Sequence, residues 1–179
     1  MTAVQIRPTL AADVTSLAAL EHSTSSDWVW QLELRREANS VSAAFREARL
    51  PRSTNVQFPR DPQNLLSHWM NYAMMYTALV DERPVGYVCA TEREPASTLW
   101  ISALVVALPR RRQGIGAALL ETAQTWAQQK LHRRLILEAQ SKNIAMIRLA
   151  QKFGCEFCGY NDQDYPTQDI ALYFAKRLR

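Results

Sequence analysis

Apolar and polar positions alternate with two different periods along this chain. Over residues 10–22, Leu10, Val14, Leu17 and Leu20 recur at helical spacing behind Thr9, a residue suited to capping. From Trp28 the period drops to two. Trp28, Trp30, Leu32 and Leu34 alternate with Gln31, Glu33 and Arg35, which predicts a half-buried strand. Residues 41–50 fit either period, but they follow the turn signal Asn39-Ser40 and are read as a strand paired with the one before. Residues 51–62 read as a loop. Asp61 then Pro62, a cap residue followed by proline, predicts a helix to about residue 72.

The second half is more regular. Short strands are predicted over residues 4–7, 76–80 and 84–92, with turns at 81–83 and 94–97. Residues 98–107 are almost continuously apolar, as expected of a strand buried on both faces, and Pro109 ends them. Residues 115–130 predict a helix with Ile115, Leu119, Ala123 and Trp126 on one face, followed by a strand over 135–139. A helix over 144–153 would turn Met146, Leu149, Ala150 and Phe153 inward and stop at Gly154. Strands over 155–160 and 168–176 close the chain around the polar loop 161–166. No repeat or linker interrupts the 179 residues, so one α/β domain with a mixed sheet is expected.

Composition sets limits on this picture. Hydrophobic content of 47% and charged content of 21% are ordinary globular values. No apolar run approaches the roughly 20 residues of a membrane span, and the start Met1-Thr2-Ala3-Val4 lacks a signal-peptide pattern. The chain is therefore read as soluble and cytoplasmic, without a membrane partner. The three cysteines do not form a disulfide framework. Cys155 and Cys158 form a C-x-x-C, but no second ligand pair accompanies them, so no metal site is expected. His22, His68 and His132 have no partner motif. His22 and His68 are read as packing residues and His132 as exposed.

Charge and glycine converge on one place. Between Leu108 and Arg134, six cations face Glu121 alone, whereas the whole chain carries only +4. A nucleic-acid binder would more often show a wider basic face, and a local cluster suits a compact polyanion better. The chain has only 5 glycines, two of them in Arg111-Arg112-Gln113-Gly114-Ile115-Gly116. This run joins a buried strand to an amphipathic helix. A helix start presents free N–H groups and the positive end of the dipole, and glycine lets a phosphate approach the backbone. Neither a nucleotide P-loop nor a full dinucleotide fingerprint is present.

The run Arg111 to Gly116 resembles the acetyl-CoA pyrophosphate loop of the GNAT acetyltransferase superfamily. Ser102-Ala103-Leu104-Val105-Val106 resembles that family's central strand. Leu135 to Asn143, then Leu149, Lys152, Phe153 and Gly154, resemble its splayed partner strand and following helix. The resemblance covers about residues 74–160. It implies a mixed, mostly antiparallel sheet flanked by helices, with a splayed strand pair holding CoA and with residues 1–73 serving the acceptor. It also implies that the cofactor is acetyl-CoA, a co-substrate, and that the partner is an amine-bearing acceptor. Backbone amides from about Arg112 to Ala117, through Gln113, Gly114, Ile115 and Gly116, would hold the pyrophosphate, and Arg111 counts among the cofactor-binding residues as flanking charge. Leu104, Val105 and Val106 would pair with the pantetheine arm, the Val106 N–H polarising the thioester carbonyl. Asn143 would contact the pantetheine, and can equally be a plain N-cap.

One position departs from the pattern. Where many members of the family carry a tyrosine that protonates the CoA thiolate, this chain has Ala150. No general acid is assigned. Glu138, near its strand end, is the candidate base, since an ammonium must lose a proton before it attacks. Trp28, Trp30 and Glu33, with Asp162, Asp164 and Tyr165, are read as an acidic, aromatic acceptor pocket. The expected activity is direct acetyl transfer to an amine in a ternary complex, with a small-molecule acceptor favoured. A protein N-terminal acetyltransferase, a non-catalytic CoA-binding module and a nucleic-acid binder using the arginines remain as alternatives. A homodimer is left open.

Overall fold

A computed structural model describes residues 4–94 and 97–178. The turn expected at 94–97 lies partly outside the described residues, at Pro95 and Ala96, as do Met1, Thr2 and Ala3. The elements run β1 (Gln5–Pro8), α1 (Ala11–Ala18), β2 (Thr24–Glu37), β3 (Ser40–Val56), α2 (Asn64–His68), a 3-10 turn (Trp69–Asn71), β4 (Met74–Val80), β5 (Arg83–Arg93) and β6 (Thr98–Val106). After a second 3-10 turn (Leu108–Arg110) come α3 (Ile115–Gln129), β7 (Arg134–Gln140), α4 (Ile144–Lys152), β8 (Glu156–Asn161) and β9 (Ala171–Arg177). Among the described residues, no helix is long and apolar enough to cross a membrane.

Seven strands form one sheet in the order β1-β4-β5-β6-β7-β9-β8, and β2 with β3 forms a separate ribbon. Every pairing is antiparallel except β6 with β7. The crossover between these two parallel strands is α3, as such a connection requires. Helices cover both faces. Ile115, Leu119, Leu120 and Ala123 of α3 join Ile144, Ile147 and Ala150 of α4 over Leu135, Leu137, Leu172 and Phe174. Val14 and Leu17 of α1 and Leu65 of α2 cover the other face, over Tyr87, Cys89, Ala103 and Val105. Each fully buried leucine contributes about 1.5–3 kcal/mol.

Several expected boundaries move. Helix α1 ends at Ala18, not near His22, and Thr9 does not cap it. The Thr9 hydroxyl instead meets Thr77 Oγ1 at 2.8 Å, and Asp13 accepts the Leu10 N–H. The segment 51–56, read as loop, is strand. Pro51 is tolerated because it lies at the irregularity where Ser26 pairs Thr54 but Trp28 pairs Arg49, so no ladder bond is lost there. The helix after Asp61 is a single turn, although Asp61 does accept the Gln63 N–H at 2.9 Å. In α4 the fully buried inward residue between Ile144 and Ala150 is Ile147, while Met146 and Leu149 are half-buried. His132 is buried, stacked on Trp126 with Nε2 3.1 Å from Glu92. Asp81 and Glu82 form the β4–β5 turn with φ of 49° and 64°, the mirror-image geometry a two-residue hairpin needs. Gly154, at φ 83°, ends α4 in the expected left-handed stop.

The long ribbon is anchored at its base. The Trp30 N–H donates to Ser141 O at 2.8 Å, and its ring packs edge-on against Phe174. Phe45 of β3 meets Tyr160 and Phe157 of β8, and Arg148 of α4 pairs with Glu47 at 2.8 Å. These contacts fix the ribbon over the α4 side of the sheet.

Candidate functional site

The parallel strands separate halfway along. Their pairing runs from Thr98↔Arg134 to Ile101↔Leu137 and stops. Ser102 is the extra residue of a bulge, because Ala90 pairs Ile101 and Cys89 pairs Ala103. A bulge bends its strand. Beyond it β6 stays with β5, and β7 continues on β9, so a V opens between Ser102–Val106 and residues 138–140. Gly86 lets β6 lie close: a Cβ there would be 2.7 Å from Val105 O. The V leaves the backbone of Leu104 and Val106 facing a gap instead of a strand, while Val105, between them, is turned to β5 and pairs with Tyr87.

At the wide end of the V stands the start of α3. Arg112 and Gly114 adopt φ of 64° and 86°, which turns the chain sharply into the helix. Gly114 is the N-cap and offers no side chain, so the first-turn N–H groups of Ile115, Gly116 and Ala117 keep an open front. A Cβ on Gly116 would meet Leu149 Cδ2 at 3.3 Å and Leu104 Cδ2 at 3.5 Å. This glycine therefore floors the passage between β6 and α4. The Ile115 side chain is buried in the core, so only its backbone faces the passage. Arg112, Gln113 and Gly114 are exposed. Asn143 caps α4, its Oδ1 accepting the Met146 N–H at 3.1 Å.

Arg111 behaves differently from its neighbours. Its guanidinium donates to Val106 O at 2.9 Å, Ser23 O at 2.8 Å and Glu21 O at 2.7 Å. These three bonds use three of its five N–H groups and tie the loop to the segment after α1. Desolvation lowers its pKa below the ordinary value.

The opposite face of the V carries a polar cluster. Glu138 is buried and its carboxylate accepts from three donors: the Arg60 guanidinium, Trp100 Nε1 at 2.8 Å and the Tyr165 hydroxyl at 2.7 Å. Arg60 also donates to Ser102 O at 2.9 Å, so one side chain bridges the two diverging strands. Burial, then the Glu138 charge, push the Tyr165 phenol far above its ordinary range. Both carboxylate oxygens are thus engaged by the wall of the V. Glu138 holds the V open and in register.

Beside this cluster lies a cavity of about 260 Å³ whose walls include Phe58, Arg60, Tyr72, Tyr87 and Ala103. A neighbouring cavity shares Phe58, Arg60 and Asp61 with it and adds Glu21 and His22. Tyr165 is at this face, but Trp30 and Glu33 are not. Trp30 packs on Phe174 at the α4 side, and the half-exposed Glu33 reaches only Arg35, at 3.9 Å. The alternation that identified Trp30 as a strand residue carried no information on which face the ribbon would cover. Trp28, Asp162 and Asp164 are exposed. Arg60 and His22 were the residues sequence reasoning missed. The available signal for Arg60 was Glu138 itself, because a carboxylate at a core position of an apolar strand demands a buried cation. Ala150 is fully buried on the inner face of α4, and no hydroxyl reaches the V from that position.

The sequence profile of the acetyltransferase (GNAT) family matches residues 40–155. No curated protein matches the chain in sequence. Among solved structures, nourseothricin acetyltransferase superposes with a TM-score of 0.82 at 22% identity, covering 99% of this chain and 100% of that one. A protein assigned as a streptothricin acetyltransferase from Bacillus anthracis, crystallised with acetyl coenzyme A, gives 0.76 at 18% identity, covering 98% and 100%. The ribosomal-protein-S18-alanine N-acetyltransferase from Escherichia coli gives 0.67 at 16% identity, covering 98% and 94%.

Proposed function

The chain belongs to the GNAT acetyltransferase family, whose members move acetyl from acetyl-CoA to an amine, and we propose that its acceptor is a small cationic amine that attacks the thioester directly. The observation that carries this reading is the V between β6 and β7, which opens onto the uncapped start of α3 at Gly114–Gly116. A pyrophosphate fits there against backbone N–H groups without displacing a side chain, and the pantetheine arm fits along Leu104–Val106 as an added strand. The Val106 N–H and its neighbours then face the thioester carbonyl, where a hydrogen bond that strengthens as charge develops lowers the barrier.

The acceptor enters from the other face. The cavities beside Arg60 are sized for a small molecule, and Glu21 and Asp61 at their rim supply negative charge for a cation. Among the described cysteines all are free, which fits a reducing compartment, and we place the protein in the cytoplasm. The acceptors of the nourseothricin and streptothricin acetyltransferases belong in the first test on grounds of fold likeness. The test is a panel of primary amines with acetyl-CoA, read by thiol release and by mass of the product. Amine-dependent release with an acetylated product supports the reading. Acetyl-CoA binding without release for any amine favours a non-catalytic CoA-binding module. Turnover confined to peptides with a free N-terminus favours a protein N-terminal acetyltransferase.

A further inference from the structure

Acetyl transfer requires the acceptor ammonium to lose a proton, and the geometry described above leaves Glu138 unsuited to take it. His22 lies in the segment after α1 that Arg111 holds through Glu21 O and Ser23 O. Its Nδ1 is 2.6 Å from Leu20 O, which can only accept, so Nδ1 carries the hydrogen in the neutral ring. Nε2 is then an acceptor, and the Tyr87 hydroxyl 3.1 Å away donates to it. Tyr87 belongs to β5 and pairs with Val105 of β6, on the strand that would carry the pantetheine. Its ring stacks at a tilt against His22, and it lines the acceptor-side cavity with Tyr72 and Ala103. Tyr72 lines the same cavity, but its hydroxyl meets the buried Cys89 thiol instead of an imidazole. Burial pushes both phenols well up, so Tyr87 hands a proton on without ionising.

We propose that Tyr87 and His22 form the proton path of the acetyl transfer, from the acceptor ammonium through the Tyr87 hydroxyl to His22 Nε2. This rests on the acetyltransferase reading above. The Tyr87 hydroxyl takes one ammonium proton as it passes its own to Nε2. The freed lone pair forms the C–N bond at the thioester carbonyl, and the C–S bond breaks on collapse. The second N–H proton leaves with that collapse and ends on the CoA thiolate. His22, half-exposed, returns its proton to solvent through the neighbouring cavity. The charged groups around the ring are Glu21 beside it, Arg111 from the loop before α3, and Arg60 and Asp61 across the cavity, with Tyr87 from β5. Burial is the largest influence and lowers the imidazole pKa below 6.5, so the ring is neutral and able to accept near pH 7. Arg111 is a positioning residue here, since it fastens the segment carrying His22 to the cofactor loop.

The test uses the panel amine that the wild-type protein turns over fastest, drawn from lysine, spermidine, tyramine and streptothricin. We expect His22→Gln to lower kcat roughly 100-fold, the scale of a lost general base, with acetyl-CoA affinity within about twofold of wild type. The acidic limb of the wild-type rate profile, below pH 6.5, should vanish in this variant. A readout independent of turnover is the His22 ring C–H signal in NMR titrations of the ligand-free protein. Tyr87→Phe should move its pKa upward, because the lost hydroxyl stabilised the neutral ring. If Tyr87→Phe fails to fold, His22→Gln and the wild-type titration decide alone. Unchanged kcat and an unchanged acidic limb in His22→Gln overturn the path, as does a wild-type His22 pKa above 6.5. Failure of the wild-type protein to turn over any amine removes the acetyltransferase reading first, and this path with it.

Discussion

Substituting Gly116 by valine separates binding from stability more cleanly than any other change in this site. A Cβ at this position would meet only Leu149 Cδ2 at 3.3 Å and Leu104 Cδ2 at 3.5 Å, both ends of side chains that can yield. Valine also gains a few tenths of a kcal/mol of helix propensity over glycine. The two effects roughly offset, so stability should change by less than about 1 kcal/mol, or about 2–4 °C in Tm for a chain of this size. Affinity should respond far more. The new side chain fills the passage in front of the first-turn N–H groups and costs at least one hydrogen bond to a charged oxygen, about 1.5–3 kcal/mol. At 1.4 kcal/mol per tenfold, the Kd for acetyl-CoA should rise roughly 10- to 100-fold. Calorimetric titration with acetyl-CoA, beside a thermal melt, reads both quantities. Gly114→Ala is the contrast, read mainly through stability. Nothing lies within 4 Å of its Cβ, but φ is 86°, so it should lose about 1 kcal/mol of stability through backbone strain. An unchanged Kd in Gly116→Val with an unchanged Tm would refute the placement of the pyrophosphate.

Three further outcomes follow from the same contacts. Glu138→Ala leaves the Arg60, Trp100 and Tyr165 donors without their acceptor and should cost about 3 kcal/mol in urea unfolding, with Arg60→Met recovering part of the loss in that background. A cost under 1 kcal/mol would contradict the bridging role. Gly86→Ala places a Cβ 2.7 Å from backbone Val105 O and should cost about 1–3 kcal/mol while weakening acetyl-CoA binding through the displaced β6 edge; equal affinity would show that this edge does not hold the ligand. The Arg7 guanidinium, 2.7 Å from Asp13, holds the Asp13 carboxyl below 3.8. A lowered native pKa gives stability that is complete above about pH 4 and fades as pH falls through the native value. Asp13→Asn should therefore cost about 2 kcal/mol at pH 7 and much less near pH 2, measured by paired urea melts.

The second half of the fold was legible because local chemistry dictates it. The apolar run of β6, the basic glycine loop and the amphipathic α3 each signal their role within a few residues, and the structure assembles them as expected. Gly154 and Gly86 also fall where backbone geometry requires them, at a positive φ and beside a close backbone neighbour, whereas Gly159 adjoins the bulge that shifts β8 against β9 with ordinary room for a Cβ. The first half was not legible in the same way. Its polar residues are joined by pairings across large sequence distances, such as Arg60 with Glu138 and His22 with Tyr87, which no local period reveals. Trp30 shows the same limit from the other side. Its alternation correctly marked a strand, but the ribbon's docking on Phe174 and Phe157 decides which face it reaches. The basic loop was legible, but the long-range bonds of Arg111 to Glu21 O and Ser23 O were not, because they join segments about 90 residues apart.

The most direct test of the site is backbone hydrogen exchange with and without acetyl-CoA. The structure has β6 beyond Ser102 facing the V and the first turn of α3 open at its front. Saturating acetyl-CoA should slow exchange at Val106 and at Gly114, Ile115, Gly116 and Ala117, and leave α2 and the cavity wall at Phe58 and Tyr72 unchanged. Protection at α2 with none at the α3 start would contradict the account.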